Sequence, residues 1–365
     1  MKQYKNIVLR VPNWLGDACM SMPAVTELVG LFPGARLTIT ANPLTAPLFH
    51  GMSGVSDVLV YDRAGEHKGF AGKLRFARLL RQKNFDLSVL FPNSFESALL
   101  SYLAGIPEIT GYARHLRGFL LTRPVEFTER IAARHQVFCY LNIIKNLGAG
   151  IDMEAEKKPL PLISVSREET GKADILLKEN GMEGFLVGLS PGASYGLAKR
   201  WSIEGFKEAA EAVIKKRGNG AAVIFGGRED AEAAEELSKI LNVKNLNLAG
   251  KTGLRDFLAL AGRMNLFIAN DSGAMHASAA LSVPTLAIFG STDPNLTGPL
   301  GRRVRVVMEK LECSPCFKRE CPYGHYKCLV GVKPARVIGE AEEMLRESCG
   351  QQNESTNPCG AHAKE

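Results

Sequence analysis

Residues 267–290 read FIANDSGAMHASAALSVPTLAIFG. An apolar run ends at Asn270, the tetrad Asn270-Asp271-Ser272-Gly273 turns the chain, a helix of small residues follows, and a second apolar run closes at Gly290. Two buried runs flanking one crossover helix are the sequence form of a parallel β-α-β unit. A helix starting at Gly273 presents unpaired N–H groups and the positive end of its dipole at the sheet edge, a ready site for a diphosphate. Gly273 would let the phosphate approach the backbone, and Ser272 would add a hydroxyl. Asp271 stands out, because a carboxylate repels phosphate. It is either a helix N-cap, worth about 1 kcal/mol, or the partner of a neutral, hydroxyl-rich group beside the diphosphate. The second combination describes a nucleotide sugar.

The alternation extends outward from this unit. FLVGLSPG, AAVIFGG, NLNLAG, LFIAND and TLAIFG are strand-like, with helices starting near Ser202, Glu229, Leu254 and Gly273 between them. Upstream, KNIVLRV, RLTITA, SDVLVYD, FDLSVLFP and EITGYA alternate with helical patterns in the same way. Between the two series lies the polar, proline-bearing stretch IDMEAEKKPLPLISVSREE, which reads as an interdomain linker. The expected architecture is α/β, two doubly wound Rossmann-like domains facing across a cleft. The boundaries expected are 1–165, 166–332, a terminal helix over 333–348, and a disordered polar tail over 349–365.

A chain of 365 residues is long for one core, which agrees with two domains. Its apolar runs fall short of the ~20 residues needed for a membrane span, and the start, MKQYKNIVLRVPNW, lacks a signal-peptide core. A cytoplasmic protein is expected. The +7 charge favours anionic partners. Much of the excess falls within 112–135, where Arg114, Arg117, Arg123, Arg130, Arg134, His115 and His135 face only Glu126 and Glu129. That segment is either a solvated loop face or a docking surface for a phosphorylated or carboxylated substrate, at an anionic membrane surface.

There is no GxGxxG after the first strand and no GxxxxGK[ST], which argues against a dinucleotide oxidoreductase or a P-loop NTPase. Polar or glycine-rich turns instead follow three strands of the second half: SPGASYGLAKRW (190–201), FGGRED (225–230) and ANDSGAMH (269–276). In a parallel sheet these ends share the edge where ligands bind.

Together with WLGDACMSMPA (14–24), the stretch 92–122 and CSPCFKRECPYGHYKC (313–328), these turns resemble the ADP-heptose:lipopolysaccharide heptosyltransferases, most of all their heptosyltransferase II branch. The resemblance covers nearly the whole chain, to about Ser348. It implies a GT-B fold and inverting transfer of heptose from ADP-L-glycero-D-manno-heptose, with no metal needed for catalysis. The implied acceptor is the first heptose of the inner core on Kdo-lipid A, met at the inner face of the inner membrane, with no nucleic acid involved.

Inverting displacement needs a base for the acceptor hydroxyl and a stabiliser for the leaving diphosphate. By the resemblance, Asp17 of WLGD is the base and Lys199 the phosphate-binding cation. Asp17 could alternatively cap its helix, and Arg200 could share the role of Lys199. Ser194 is a candidate phosphate donor. His276 would reach the diphosphate or simply pack in its helix. Gly226 and Gly227 would bring the backbone close to the adenosine, with Glu229 on the ribose. Arg114, Arg117, Arg134 and His135 are the acceptor-side candidates. Cys313-x2-Cys316-x4-Cys321-x6-Cys328 has the spacing of a structural zinc site, outside the phosphate loops, although reduced thiols in a packed loop remain the alternative.

Two other functions stay open on sequence grounds. One is another GT-B enzyme, such as a 2-epimerase or a heptosyltransferase using a different core acceptor. The other is a two-lobe sugar receptor, disfavoured by the missing signal peptide.

Overall fold

The structure is a computed structural model that describes residues 2–155 and 158–354, with 348–354 as backbone only. The first sheet comprises β1 (Asn6–Arg10), β2 (Arg36–Ala41), β3 (Val55–Val60), β4 (Leu87–Leu90), β5 (Glu108–Tyr112) and β6 (Arg123–Val125). The second comprises β7 (Phe185–Ser190), β8 (Gly220–Ile224), β9 (Asn245–Asn247), β10 (Leu266–Asn270), β11 (Thr285–Phe289) and β12 (Val304–Met308). All pairings are parallel, and the orders are β3-β2-β1-β4-β5-β6 and β12-β11-β10-β7-β8-β9. Counted from its own first strand, each sheet therefore has the order 3-2-1-4-5-6 of a dinucleotide-binding domain. The two-domain doubly wound expectation holds.

This order fixes where a site can lie. A sheet that reverses direction between its first and fourth strands leaves a crevice beyond their C-terminal ends. In the first domain the crevice lies between the ends of β1 and β4. In the second it lies between the ends of β7 and β10, where Ser190–Trp201 and Asp271–Gly273 emerge.

The central strands are buried on both faces because they read as continuous apolar runs: β10 and β11 are buried at every residue. The Gly273–Ala280 helix is short-chained, and its Met275, Ala277 and Ala279 are buried. Its small side chains let it lie close against the Leu15–Leu31 helix of the other domain. A contiguous apolar cluster runs from Leu9, Ala18, Met22 and Val25 of the first domain into Met275, Ala277 and Phe289 of the second. The domains thus meet on a shared core beneath the cleft.

The strand β6 and the helix Arg167–Glu179 were not expected from the sequence, nor were two features near the C-terminal end. The edge strand β12 reads VRVVM, and its Arg305 bonds Glu340 at 2.9 Å, Glu343 at 2.7 Å and Glu347 at 2.5 Å on the terminal helix. That helix spans Pro334–Glu354, so residues 349–354, expected in the tail, are helical. The rest of that tail, 355–365, lies outside the described residues. No helix among the described residues is long and apolar enough to cross a membrane.

Candidate active site

The two crevices face each other. On the first domain, the turn after β1 delivers Asp17 in the first turn of the Leu15–Leu31 helix, three residues after the N-cap Trp14. Asp17 is therefore not the cap. Its Oδ1 accepts a hydrogen bond from the Tyr140 hydroxyl at 3.2 Å. Burial raises its pKa, against the Tyr140 bond and the Lys199 charge, which both lower it, while Asp271 adds to the rise. Tyr140 is itself buried, and its pKa lies well above the ordinary phenol value, so it donates and stays neutral. A half-buried carboxylate aimed by one neutral donor is suited to proton abstraction. Tyr140 lies 123 residues away in a helical pattern, and no local motif points to it.

Across the cleft, Lys199 Nζ lies 2.5 Å from Asp271 Oδ2, and the Thr292 hydroxyl donates to the same oxygen at 2.5 Å. Lys199 also sits 4.6 Å from the centre of the Tyr195 ring. Asp271 thus holds the lysine, and the capping position belongs to Ser272, whose side chain makes no capping bond. Ser272 Oγ is buried without a protein partner. So is Ser291 Oγ after β11, and Asp230 Oδ1 after β8 has no hydrogen-bond partner, only Arg200 Nη2 at 3.9 Å. Buried polar atoms cost free energy unless bonded, and three of them converge on the strand ends of one sheet, beside the uncapped start of a helix.

The loops behind this cluster are pinned in a way the sequence reading did not capture. Asn270 accepts from Trp201 N–H at 3.0 Å and donates to the Pro191 carbonyl at 2.6 Å, so the last residue of β10 clamps the loop that carries Lys199. Asp230 Oδ2 accepts from Gly227 N–H at 3.0 Å, and burial raises the Asp230 pKa. A Cβ at Gly192 would come within 2.0 Å of the Asp230 carboxyl, and one at Gly226 within 2.8 Å of its Cβ. These glycines make room for Asp230. Ser194 Oγ donates to Glu229 Oε1 at 3.2 Å, joining two of the expected donor-side residues across two loops. Gly227 lies under the Glu229 carboxylate, 2.5 Å from where its Cβ would be.

His276 is buried with its ring against the backbone of Gly16, where a Cβ would lie 2.7 Å from Cδ2. Desolvation lowers its pKa to about 4, against Asp271, which raises it, so the ring is neutral at pH 7. The packed reading of His276 is the one observed. The reciprocal contact explains Gly273, since a Cβ there would lie 2.8 Å from Leu15 Cβ. The starts of the two helices interlock, each glycine admitting a side chain from the opposite domain.

The four acceptor-side candidates separate. Arg114 is exposed and lies over the Phe127 ring at 4.4 Å. Arg134 stacks on Phe138 at 4.1 Å and pairs with Glu154 at 3.3 Å. Arg117 and His135 are corrected to structural roles. Arg117 is fully buried and donates to the carbonyls of Tyr112, Pro92 and Ser94 and to Ser97 Oγ at 2.5–3.2 Å, bracing the loop after β4. His135 caps its helix: Nδ1 accepts from Val137 N–H at 3.3 Å, which leaves Nε2 to donate to the Gly298 carbonyl, 2.9 Å away in the other domain. Burial lowers its pKa to about 4.

The cysteine expectation also changes. Cys313, Cys316 and Cys321 are partly exposed and Cys328 is buried, and no group of three or more described His, Cys, Asp or Glu side chains is arranged to hold a metal ion. Burial raises the Cys328 thiol pKa, and Cys316, Cys321 and Cys313 add to the rise, so the four thiols do not lie far apart. Nor is the segment remote from the phosphate loops. Tyr195 donates to the Phe317 carbonyl at 2.8 Å, Ala198 N–H donates to Arg319 at 3.0 Å, and Phe317 N–H donates to Ser291 at 2.7 Å. The cysteine-bearing loop is a wall of the Lys199 loop.

With this geometry in place, comparison with known proteins assigns the family. The model of glycosyltransferase family 9 (heptosyltransferase) matches residues 73–327. The chain belongs to that family. It is a glycosyltransferase. It is similar to lipopolysaccharide heptosyltransferase 2 of Escherichia coli K12, 30% identical over 345 residues that cover 92% of this chain and 97% of the relative. Lipooligosaccharide heptosyltransferase 2 of Campylobacter jejuni is also 30% identical, over 94% of this chain and 99% of its own. The solved structure of the E. coli ADP-heptose lipopolysaccharide heptosyltransferase II superposes with a TM-score of 0.80 at 28% identity, covering 94% of this chain and 99% of the other. The fold is the GT-B arrangement of these enzymes.

Proposed function

We propose that this family 9 glycosyltransferase moves L-glycero-D-manno-heptose from ADP-heptose to the first heptose of the lipopolysaccharide inner core, with inversion. The observation that carries the reading is the opposition across one cleft of a half-buried carboxylate, Asp17, and the Lys199–Asp271 pair beside the uncapped Gly273 helix. The names of the relatives support the substrates.

In the reaction, the acceptor hydroxyl gives its proton to Asp17 while its oxygen attacks the anomeric carbon. The bond from that carbon to the diphosphate oxygen breaks, and ADP leaves with the electron pair. Lys199, the free N–H groups of the Gly273 helix and Ser272 Oγ would receive the charge. The diphosphate competes with Asp271 for the lysine. Ser194, Glu229 and the Gly226–Gly227 turn would line the nucleoside end.

The acceptor is lipid-borne, and the first domain suits a peripheral visit to an anionic membrane. Leu116 and Phe119 are 89% and 78% exposed on the loop that also carries Arg114. An apolar tip flanked by cations is the chemistry of interfacial docking.

The deciding experiment mixes the protein with ADP-heptose and a core acceptor bearing one heptose, then measures ADP release and product mass. One added heptose is expected. No ADP release, or transfer only to a core with no heptose or with two, would overturn the assignment.

A further inference from the structure

The first domain holds a cavity of about 540 Å³ at its own crevice, between the sheet and the Gly69–Gln82 and Phe95–Leu103 helices. Its size is that of a small-ligand site. The mouth is formed by Asn13 and Trp14 at the start of the Asp17 helix, together with Asn42, Leu44 and Ser94. The floor is apolar, with Val8, Phe76, Leu80 and Leu90. Into it the sequence places an arginine, the last residue of β1.

Arg10 is unusual for its setting. Its Nη2 donates to Asn13 Oδ1 at 2.9 Å, and its guanidinium carbon lies 5.1 Å from the centre of the Tyr61 ring. Its Nη1 is buried and has no protein partner. Burial lowers its pKa to about 10, against Tyr61 and the Glu96 carboxylate, which raise it, so it remains a cation at pH 7. The carboxylates of the cavity are already engaged. Glu96 is bound by Lys73, by Arg63 at 3.6 Å and by the Tyr61 hydroxyl at 3.1 Å. Asp62 accepts from the backbone of Ala64 and Gly65 at 3.1 and 2.9 Å. Arg117 braces the adjoining wall with neutral acceptors only, which adds positive charge.

A buried guanidinium nitrogen with no acceptor, in a cavity whose carboxylates are spoken for, is costly unless something anionic completes it. We propose that Arg10 Nη1 is an anion-reading subsite of the acceptor pocket, taking one carboxylate or phosphate oxygen of the acceptor while the reacting hydroxyl lies toward Asp17 at the mouth. The identity of the ligand rests on the heptosyl-transfer reading, whereas the anion preference rests on the cavity itself. The subsite therefore selects core acceptors by charge as well as by sugar.

The test uses a deacylated, water-soluble acceptor bearing one heptose in three forms: native, carboxyl-reduced and dephosphorylated. Binding to wild type, Arg10→Gln and Arg10→Lys is read from tryptophan fluorescence. Trp14 lines the mouth, and the chain's second tryptophan, Trp201, is buried. Wild type is expected to lose about ten- to hundredfold in affinity for one of the two altered acceptors, the scale of one charge-assisted hydrogen bond. Which form loses identifies carboxylate or phosphate. Arg10→Gln is expected to bind all three alike, and Arg10→Lys to keep part of the preference, with ADP binding by each variant confirming an intact second domain. Wild type binding all forms equally, or Arg10→Gln keeping the discrimination, would overturn the subsite. Turnover in the same samples separates the two claims. Discrimination without heptose transfer refutes the proposed function alone, and transfer without discrimination refutes the subsite alone.

Discussion

Lys199 and Asp271 hold each other at 2.5 Å, with side chains only 12% and 5% exposed, so each neutralises the other in a nearly closed site. The pair has a structural and a chemical side, and substitutions can separate them. Lys199→Met is expected to lower turnover at least tenfold, because the cation that would stabilise the leaving diphosphate is lost. It is also expected to destabilise the fold by about 3–5 kcal/mol, because one partner of a buried pair remains. Adding Asp271→Asn should restore melting temperature but not turnover. Restored turnover in the double variant would show that the lysine serves only to neutralise Asp271.

Asp17→Asn keeps the size of the residue and removes the base. A fall in kcat of about a hundredfold or more is expected, with ADP-heptose affinity nearly unchanged. Stability carries a second signature. Because burial raises the Asp17 pKa above its unfolded value, this group's contribution is fully present below the unfolded pKa and is lost as pH rises through the folded one. Asp17→Asn removes that fall, so the variant is expected to gain on wild type above the carboxylate range. Wild-type kcat in this variant would end the assignment.

Tyr140→Phe tests the aim of the base. The hydroxyl bond lowers the Asp17 pKa, so its loss is expected to move the acidic limb of the kcat/KM profile to higher pH while leaving the alkaline plateau within a few-fold of wild type. An unmoved limb would mean that Tyr140 only packs.

Gly16→Ala puts a methyl group 2.7 Å from His276 Cδ2. Since His276 is buried and cannot yield freely, the domains are expected to part. Small-angle scattering should show a larger radius of gyration, with far-UV circular dichroism unchanged and activity down at least tenfold. An unaltered radius with full activity would show that the contact is adjustable.

His135 and His276 predict an acid limb of stability. Both are buried, neutral and lowered to about 4. A base depressed on folding contributes stability above its unfolded pKa, and that stability is lost as pH falls through the folded value. The loss is therefore expected between about 6.5 and 4, at up to about 1.4 kcal/mol per pH unit for each ring. Replacing His135 with Gln, followed by urea unfolding across this range, should flatten the slope.

The sequence was legible where function and folding use one local signal. The tetrad 270–273 marked a strand end and a helix start together, and both are found there. WLGD likewise placed Asp17, though its glycine serves the opposite domain. Legibility failed where charge was read as exposure. Arg117 and His135 belong to a basic run, yet each also bonds carbonyls outside it, of Pro92 and Gly298, and no pattern within the run distinguishes a cation that faces water from one that braces a loop. The strand β12 escaped notice for the related reason that Arg305 finds its counter-charges on a helix still to come. Asn270, Asp230 and Tyr140 act through contacts that only the folded chain creates.

The repeated strand order has a consequence for how such enzymes diversify. Two crevices of the same topology, one on each sheet, would let each half of the chain read one reactant. Mutations in one half can explore new partners while the chemistry supplied by the other stays intact. The interlocked Gly16 and Gly273 contacts mark the narrow seam that any exchange of halves has to preserve. In engineering terms the molecule is a two-part coupling, with interchangeable sockets and a fixed joint.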